Sequence, residues 1–236
     1  IYTDVKGVYT TDPKLTKSAK KINKISYEEM LEMASLGAKV MQPASIQEAR
    51  LNRIEIDVRS TFSNTTGTTI TKKKNILSNN TIRGISFTKN DAKLTLIGVK
   101  DKPGIAASIF KPLYENSINV DMVVQNVSAG GKETDLTFTI KLEDLKKTEK
   151  LVKNNKYIKY RKLIINKNVS KVSIVGVGMI TTPGITYRMF KALAKKKINI
   201  EVISTSEIKI SVLINKKNLK KSVEILHQEF KLNNSL

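Results

Sequence analysis

One segment occurs twice in this chain, and that repeat constrains the fold more than any other feature. KLTLIGVKDKPGIAASIFKPLYENSINVDMVVQN starts at Lys93, and KVSIVGVGMITTPGITYRMFKALAKKKINIEVISTS starts at Lys171. After two extra residues in the second copy, the two run in register at an offset of 80. Pro103 and Pro183, Gly104 and Gly184, and Ile105 and Ile185 then coincide. So do Phe110 and Phe190, Leu113 and Leu193, Ile118 and Ile198, and Asn119 and Asn199, while Asp121 is matched by Glu201.

Each copy has readable physics. Residues 94–99 and 172–177 are apolar, β-branched runs of strand length. A Pro-Gly pair breaks each run and opens a helix. In those helices Ile105, Ile109, Leu113 and Ile185, Met189, Leu193 recur at helical spacing. A second strand starts at Asn119 or Asn199, and a third covers residues 135–141 or 208–214. A second helix begins at about Leu145 or Leu219, and copy one adds a strand over residues 157–165. This βαββαβ order predicts an α+β fold, a ferredoxin-like sandwich of helices on one antiparallel sheet. Copy two stops after its second helix, which would leave a sheet edge unpaired. Residues 81–88, TIRGISFT, are strand-like and are expected to complete copy two, so that copy one is inserted into copy two.

Upstream, Ser26-Tyr27-Glu28-Glu29 has the form of a capping box, with Met30, Met33, Ala34 and Leu36 on or near one helical face. Capping and solvation explain these glutamates better than a catalytic pair. Residues 43–52 read as a second helix, and 54–61 alternate as a strand. Residues 63–80 are polar, carry a KKK run and read as a linker.

The net charge of +21 ordinarily suggests nucleic acid or an anionic surface. Only six of the 42 basic residues are arginine, however, and aromatics make up 6%. Base readout favours arginine. Scattered lysines on polar helix faces fit a compositional bias better than a nucleic-acid binder. There is no cysteine, hence no disulfide framework or thiolate metal site. The single histidine, His227, has no second histidine to share a metal and reads as a surface or packing residue. No apolar run approaches the ~20 residues of a membrane span, and no signal peptide is evident. The expected location is cytoplasmic. The first residue is Ile1 rather than methionine, inside a segment that reads as structured, so a fragment or a shortened gene product is expected.

In copy one, VKDKPGIAASI places free helix N-terminal N–H groups where a carboxylate would be attracted. Gly104 permits close approach to the backbone. Asp101 is suited to an ammonium group, and Gln125 and Ser128 offer neutral contacts from the second strand. The same residues equally make a turn with a capped helix, and the residues alone leave both readings open. No G-x-x-x-x-G-K-[ST] loop is present, and Gly176-Val177-Gly178 fails the dinucleotide fingerprint because Thr181 follows.

DKPGIAASIF…INVDMVVQNVS and TPGITYRMFKAL…INIEVISTSEIKISVLI resemble the two ACT domains of bacterial aspartokinases. IYTDVKGVYTTDPK, followed by KISYEEMLEMASLGAKV, resembles the end of the same family's kinase domain. The resemblance implies a C-terminal remnant of an amino-acid-kinase lobe at residues 1–70 and a linker at 71–80. It further implies ACT domains at 91–166 and 170–236, with 81–88 completing the second. The family phosphorylates the side-chain carboxylate of L-aspartate with ATP and Mg, in the pathway to lysine, threonine and methionine, and is inhibited by lysine, threonine or both. By matched position, copy one would contribute Asp101, Gly104, Ala106, Gln125 and Ser128 to effector binding. Copy two would contribute Thr186, Asn199, Ile200 and Ser206, but has no aspartate matching Asp101, so its pocket is expected to be vestigial or to serve packing. Thr3, Asp4, Tyr9, Asp12 and Lys14 match residues that surround ATP. Lys14 stands where the family has arginine, and Lys6 where it has a second acid. The first fourteen residues taken alone are ordinary turn sequences. The family's Lys-Phe-Gly-Gly-Thr phosphate strand has no counterpart here. The chain by itself is therefore expected to be inactive as a kinase, with no catalytic residue, no metal ligand and a homodimer formed through the ACT domains. The alternatives are part of a complete kinase, a stand-alone ACT regulator paired with a catalytic subunit, and a basic nucleic-acid binder.

Overall fold

The computed structural model describes residues 1–38, 40–73, 76, 81–127 and 131–233. Two compact units divide the chain. One comprises Ile1–Thr88 with Lys171–Leu236, and the other Lys89–Ser170. Among the described residues, no helix is long and apolar enough to cross a membrane.

The N-terminal part of the first unit is a four-stranded sheet. Its strands are β1 (Tyr2–Thr3), β2 (Lys24–Ser26), β3 (Ile56–Ser60) and β4 (Thr68–Thr71), in the order β1-β3-β4-β2. Helices α1 (Tyr27–Ser35) and α2 (Pro43–Leu51) pack against each other beside it. The capping box is present: Glu29 N–H donates to Ser26 Oγ, and Ser26 N–H donates to Glu29 Oε2. Met30, Met33, Ile25, Ile56, Val58 and Ile70 fill this core. The linker reading of residues 63–80 fails at β4, which lies between β3 and β2 with Ile70 fully buried. Threonine is polar in composition but β-branched, and so suits a strand. Thr68 is buried because its hydroxyl is satisfied, accepting from Val8 N–H (2.8 Å) and donating to Ile22 O (2.5 Å). Residues 74, 75 and 77–80 of that stretch lie outside the described residues.

The repeat accounts for the remaining elements. In the second unit, β5 (Gly84–Lys100), α3 (Ile105–Glu115), β6 (Val120–Val127), β7 (Glu133–Lys141), α4 (Leu145–Lys153) and β8 (Lys162–Val175) give the strand order β6-β7-β5-β8. Leu94, Leu96, Ile109, Leu113, Leu136 and Phe138 form its core. Pro112 lies inside α3 and cannot donate to the Ser108 carbonyl one turn back. The Asn155 side chain donates to that carbonyl instead, at 3.0 Å.

The first unit contains the end of β8, then α5 (Ile185–Lys195), β9 (Ile200–Thr205), β10 (Lys209–Asn215) and α6 (Leu219–Glu229). The first residues of β5 belong to this unit, and its strand order is β5-β8-β10-β9. Arg83 N–H donates to Val175 O at 2.7 Å, and Ile82 and Ile85 are buried with Val172, Ile174 and Met189. The strand expected to reach Val177 stops at Val175, and a short 3-10 helix, Val177–Thr181, takes up the residues that copy one lacks.

Glu29 is the buried ionisable centre of the first unit. Its Oε2 lies 3.5 Å from Arg83 Nε, with the two side chains 1% and 4% exposed, and its Oε1 accepts from Val177 N–H at 3.1 Å. One carboxylate therefore joins α1, the residue before β5 and the turn after β8. Removing one member of a buried pair leaves the other charge uncompensated. Glu29→Ala is expected to lower the unfolding free energy by roughly 3–5 kcal/mol in urea denaturation. Breaking the half-exposed Lys209–Glu32 pair (2.9 Å) by Lys209→Ala should cost about 1 kcal/mol or less.

His227, on α6, is fully buried, and burial pushes its pKa below the usual histidine value. The unfolded chain then takes up a proton near pH ~6.5, before the folded chain does. Stability is thus full above that pH and falls below it by at most about 1.4 kcal/mol per pH unit until the folded pKa is reached. The melting temperature should fall between about pH 6.5 and 5 more steeply in the parent chain than in His227→Gln, as read by circular dichroism.

Candidate functional site

Two groups of residues were singled out by motif, and both are placed by ordinary turn and helix chemistry. The first belongs to the N-terminal loops. Thr3 ends β1, and its hydroxyl donates to Asp4 Oδ1 at 3.0 Å. Tyr9 is half-buried and pairs with Lys21 in an isolated antiparallel bridge. Asp12 forms an Asx turn: its Oδ1 accepts from Lys14 N–H (2.8 Å), and its carbonyl accepts from Leu15 N–H (2.9 Å). Tyr9, Asp12 and Lys14 thus share one loop, closed by Ile22 N–H to Val8 O and by Thr10 N–H to Lys20 O, each 2.8 Å. Among the described residues, no hydrogen bond joins the Thr3–Asp4 pair to this loop.

The second group lies at the strand–helix junctions of the repeat. In copy one, Gly104 takes φ +84° at the N-cap of α3, and a Cβ built there would meet nothing within 4 Å. The left-handed φ is what requires glycine; the space in front of the helix is open. Among the described residues, no carbonyl takes the N–H of Ala106 or Ala107, whereas Ser108 N–H already donates to Gly104 O. Asp101 precedes the turn, half-buried, with its own N–H donating to Lys132 O at 3.0 Å. Gly104 and Ala106 therefore lie at a helix N-terminus with two N–H groups to offer, and Asp101 lies in the turn that leads into it. Gln125 is exposed on β6, the outermost strand, and no hydrogen bond joins it to that trio. Ser128 lies outside the described residues.

Copy two repeats the backbone device. Gly184 also takes φ +84°, and Arg188 N–H donates to its carbonyl. Thr186 is exposed in the first turn of α5. Asn199 precedes β9 and Ile200 begins it, at the outer edge of the sheet. Ser206 sits in the β9–β10 turn, its N–H donating to Lys209 O at 2.9 Å.

Ser206 also lines a cleft of about 780 Å³ that the sequence reading did not anticipate. Glu28 and Tyr27 at the start of α1, Arg50 on α2, and Lys72 and Lys73 after β4 form one side of it. Val177, Ile180 and Glu207–Ile208 form the other. Nothing local in the sequence links these stretches; the Glu29 contact to Val177 is what brings α1 and the post-β8 turn together.

With this geometry established, the comparisons with known proteins fall in one direction. The family model for the ACT domain matches residues 94–155 and 172–230, and that for the amino acid kinase family matches residues 1–60. An aspartate kinase of Pseudomonas fluorescens is 46% identical over 234 residues, 98% of this chain and 56% of the relative. The ligand-free regulatory subunit of aspartate kinase from Thermus thermophilus is 36% identical with a TM-score of 0.60, covering 64% of this chain and 99% of that one. E. coli aspartokinase III, solved with lysine and aspartate in its T-state, is 26% identical with a TM-score of 0.79, covering 98% of this chain and 51% of that one. The chain spans just over half the length of the curated relatives it matches. With both ACT segments and the end of a kinase domain present in order, the chain belongs to the aspartate kinase family.

Proposed function

We propose that this chain is the feedback-sensing portion of an aspartate kinase, binding an effector amino acid and acting on a catalytic lobe that lies outside it. The observation that carries this reading is the opening of α3: a left-handed Gly104, N–H groups of Ala106 and Ala107 with no carbonyl partner among the described residues, and Asp101 three residues before Gly104. The N–H groups and the helix dipole suit the carboxylate of a free amino acid, and Asp101 suits its ammonium group. Lysine or threonine is the proposed effector, and the lysine bound in the solved E. coli aspartokinase III supports that choice. Ala106, Gln125 and Ser128 would complete the copy-one site, with Thr186, Asn199, Ile200 and Ser206 contributed by copy two.

In this reading residues 1–70 close a kinase lobe, 71–80 link it to the sensor, and ACT domains occupy 91–166 and 170–236. Residues 81–88 complete the second ACT sheet, a role supported by the Arg83 to Val175 hydrogen bond. ATP and Mg are reactants of the complete enzyme, which phosphorylates L-aspartate. Thr3, Asp4, Tyr9, Asp12 and Lys14 would lie on the nucleotide side of that site. Phosphoryl transfer needs positioned charge on the phosphates, and Lys14 keeps the charge of the family's arginine without its planar fork. The chain alone is proposed to be inactive as a kinase, cytoplasmic, and paired with a second copy through its ACT domains. A regulatory subunit held by a separate catalytic chain is the second reading, favoured by the match along 99% of the Thermus regulatory subunit.

Calorimetry against L-lysine, L-threonine and L-methionine tests the sensor reading. Saturable binding of lysine or threonine is expected, weakened roughly 10- to 100-fold in Asp101→Ala through loss of a charge-assisted hydrogen bond. No heat from any amino acid with a folded chain would remove the sensor reading.

A further inference from the structure

The loop of residues 10–20 is held at its inner side by a residue from the other end of the chain. His227 Nε2 lies 2.9 Å from Thr10 Oγ1, and its Nδ1 lies 3.3 Å from Ser18 Oγ. The two hydroxyls sit near opposite ends of the loop, so one ring bridges its two legs. Thr10 Oγ1 already accepts from Lys20 N–H at 3.0 Å, which leaves its own proton for Nε2. The ring then donates from Nδ1 to Ser18 Oγ, and the neutral imidazole satisfies both partners. Ser18 Oγ is tied in turn to Thr16 Oγ1 at 2.8 Å. Leu15, at the tip, packs on the same apolar core that contains Leu226, the residue beside His227.

We infer that His227 is a positioning residue for the nucleotide-side loop. It touches neither Asp12 nor Lys14; it fixes the two legs of the loop that carries them. The last helix of copy two thereby sets the placement of Tyr9, Asp12 and Lys14. The nucleotide half of this statement rests on the reading of those three residues given under Proposed function, whereas the positioning half rests on the hydrogen bonds alone.

The test is amide hydrogen exchange on the full chain, with a parallel titration of MgADP. His227→Phe keeps a buried ring of similar shape without either nitrogen, and His227→Gln restores one hydrogen-bonding group. Exchange within residues 11–20 should quicken roughly tenfold in the Phe variant while α6 keeps its protection, with partial recovery in the Gln variant. MgADP affinity should fall by about the same factor. Equal loss of protection in α6 and the loop, identical for Phe and Gln, would overturn the proposal and reduce His227 to a packing residue. If the His227 variants do not fold, Thr10→Val removes the loop-side partner with the helix untouched. Undiminished loop protection in that variant also overturns the proposal. Should the parent chain bind no MgADP while exchange behaves as expected, the positioning role stands and the nucleotide reading falls.

Discussion

A single buried carboxylate organises the first unit. Glu29 caps its own helix, lies against the guanidinium of Arg83 and accepts the Val177 N–H, and each of these comes from a different stretch of chain. A carboxylate removed from water is tolerated only when every such partner is present at once. The arrangement makes α1, the entry to β5 and the exit of β8 mutually dependent, and Val175, two residues before Val177, is buried in the core of the N-terminal sheet. The cleft beside Ser206 and the loop under His227 likewise combine residues of the kinase-type segment with residues of copy two.

The two copies show how one design diverges. Both open their first helix with a glycine at φ +84° and an uncapped first turn, so the anion-attracting end of the helix is common to both. The interior of that helix differs. Copy one carries Pro112 and needs Asn155 to satisfy the stranded Ser108 carbonyl, while copy two has Ala192 at the equivalent position. The entries differ as well, because copy two inserts a 3-10 turn where copy one has Asp101. The two copies thus share the backbone of the helix opening and differ before it and within the helix.

Local chemistry made much of this readable in advance. The capping box at Ser26–Glu29, the helical spacing of Ile105, Ile109 and Leu113, and the Pro-Gly breaks all act over a few residues, and the corresponding elements lie where those signals put them. What escaped depends on distance. Thr68–Thr71 looked like linker because its hydroxyl partners, Val8 and Ile22, lie 60 and 46 residues away. His227 gave no sign of its role because Thr10 is 217 positions distant. Among the candidate site residues, Asp101, Gly104, Gln125 and Ser128 were singled out from the residues themselves, with a plain turn and capped helix as an equal reading. Ala106, Thr186, Asn199, Ile200 and Ser206 came only from family resemblance, since none of them carries a local signature of a ligand.

The discontinuity of the first unit has a bearing on how the chain is made. Residues 1–88 emerge before residues 171–236, yet Val175, Val177 and His227, which bond to Arg83, Glu29 and Thr10, lie beyond Lys171. At ordinary synthesis rates of about 5–20 residues per second, the N-terminal segment waits roughly 4–30 s for them. The inserted unit, Lys89–Ser170, is contiguous and can close during that interval. In the meantime the nascent N-terminal segment holds Arg83 and Ser26 for Glu29 but lacks the Val177 N–H and the Val175 side chain that its core takes up. It is the interval in which a ribosome-bound chaperone would have most to do.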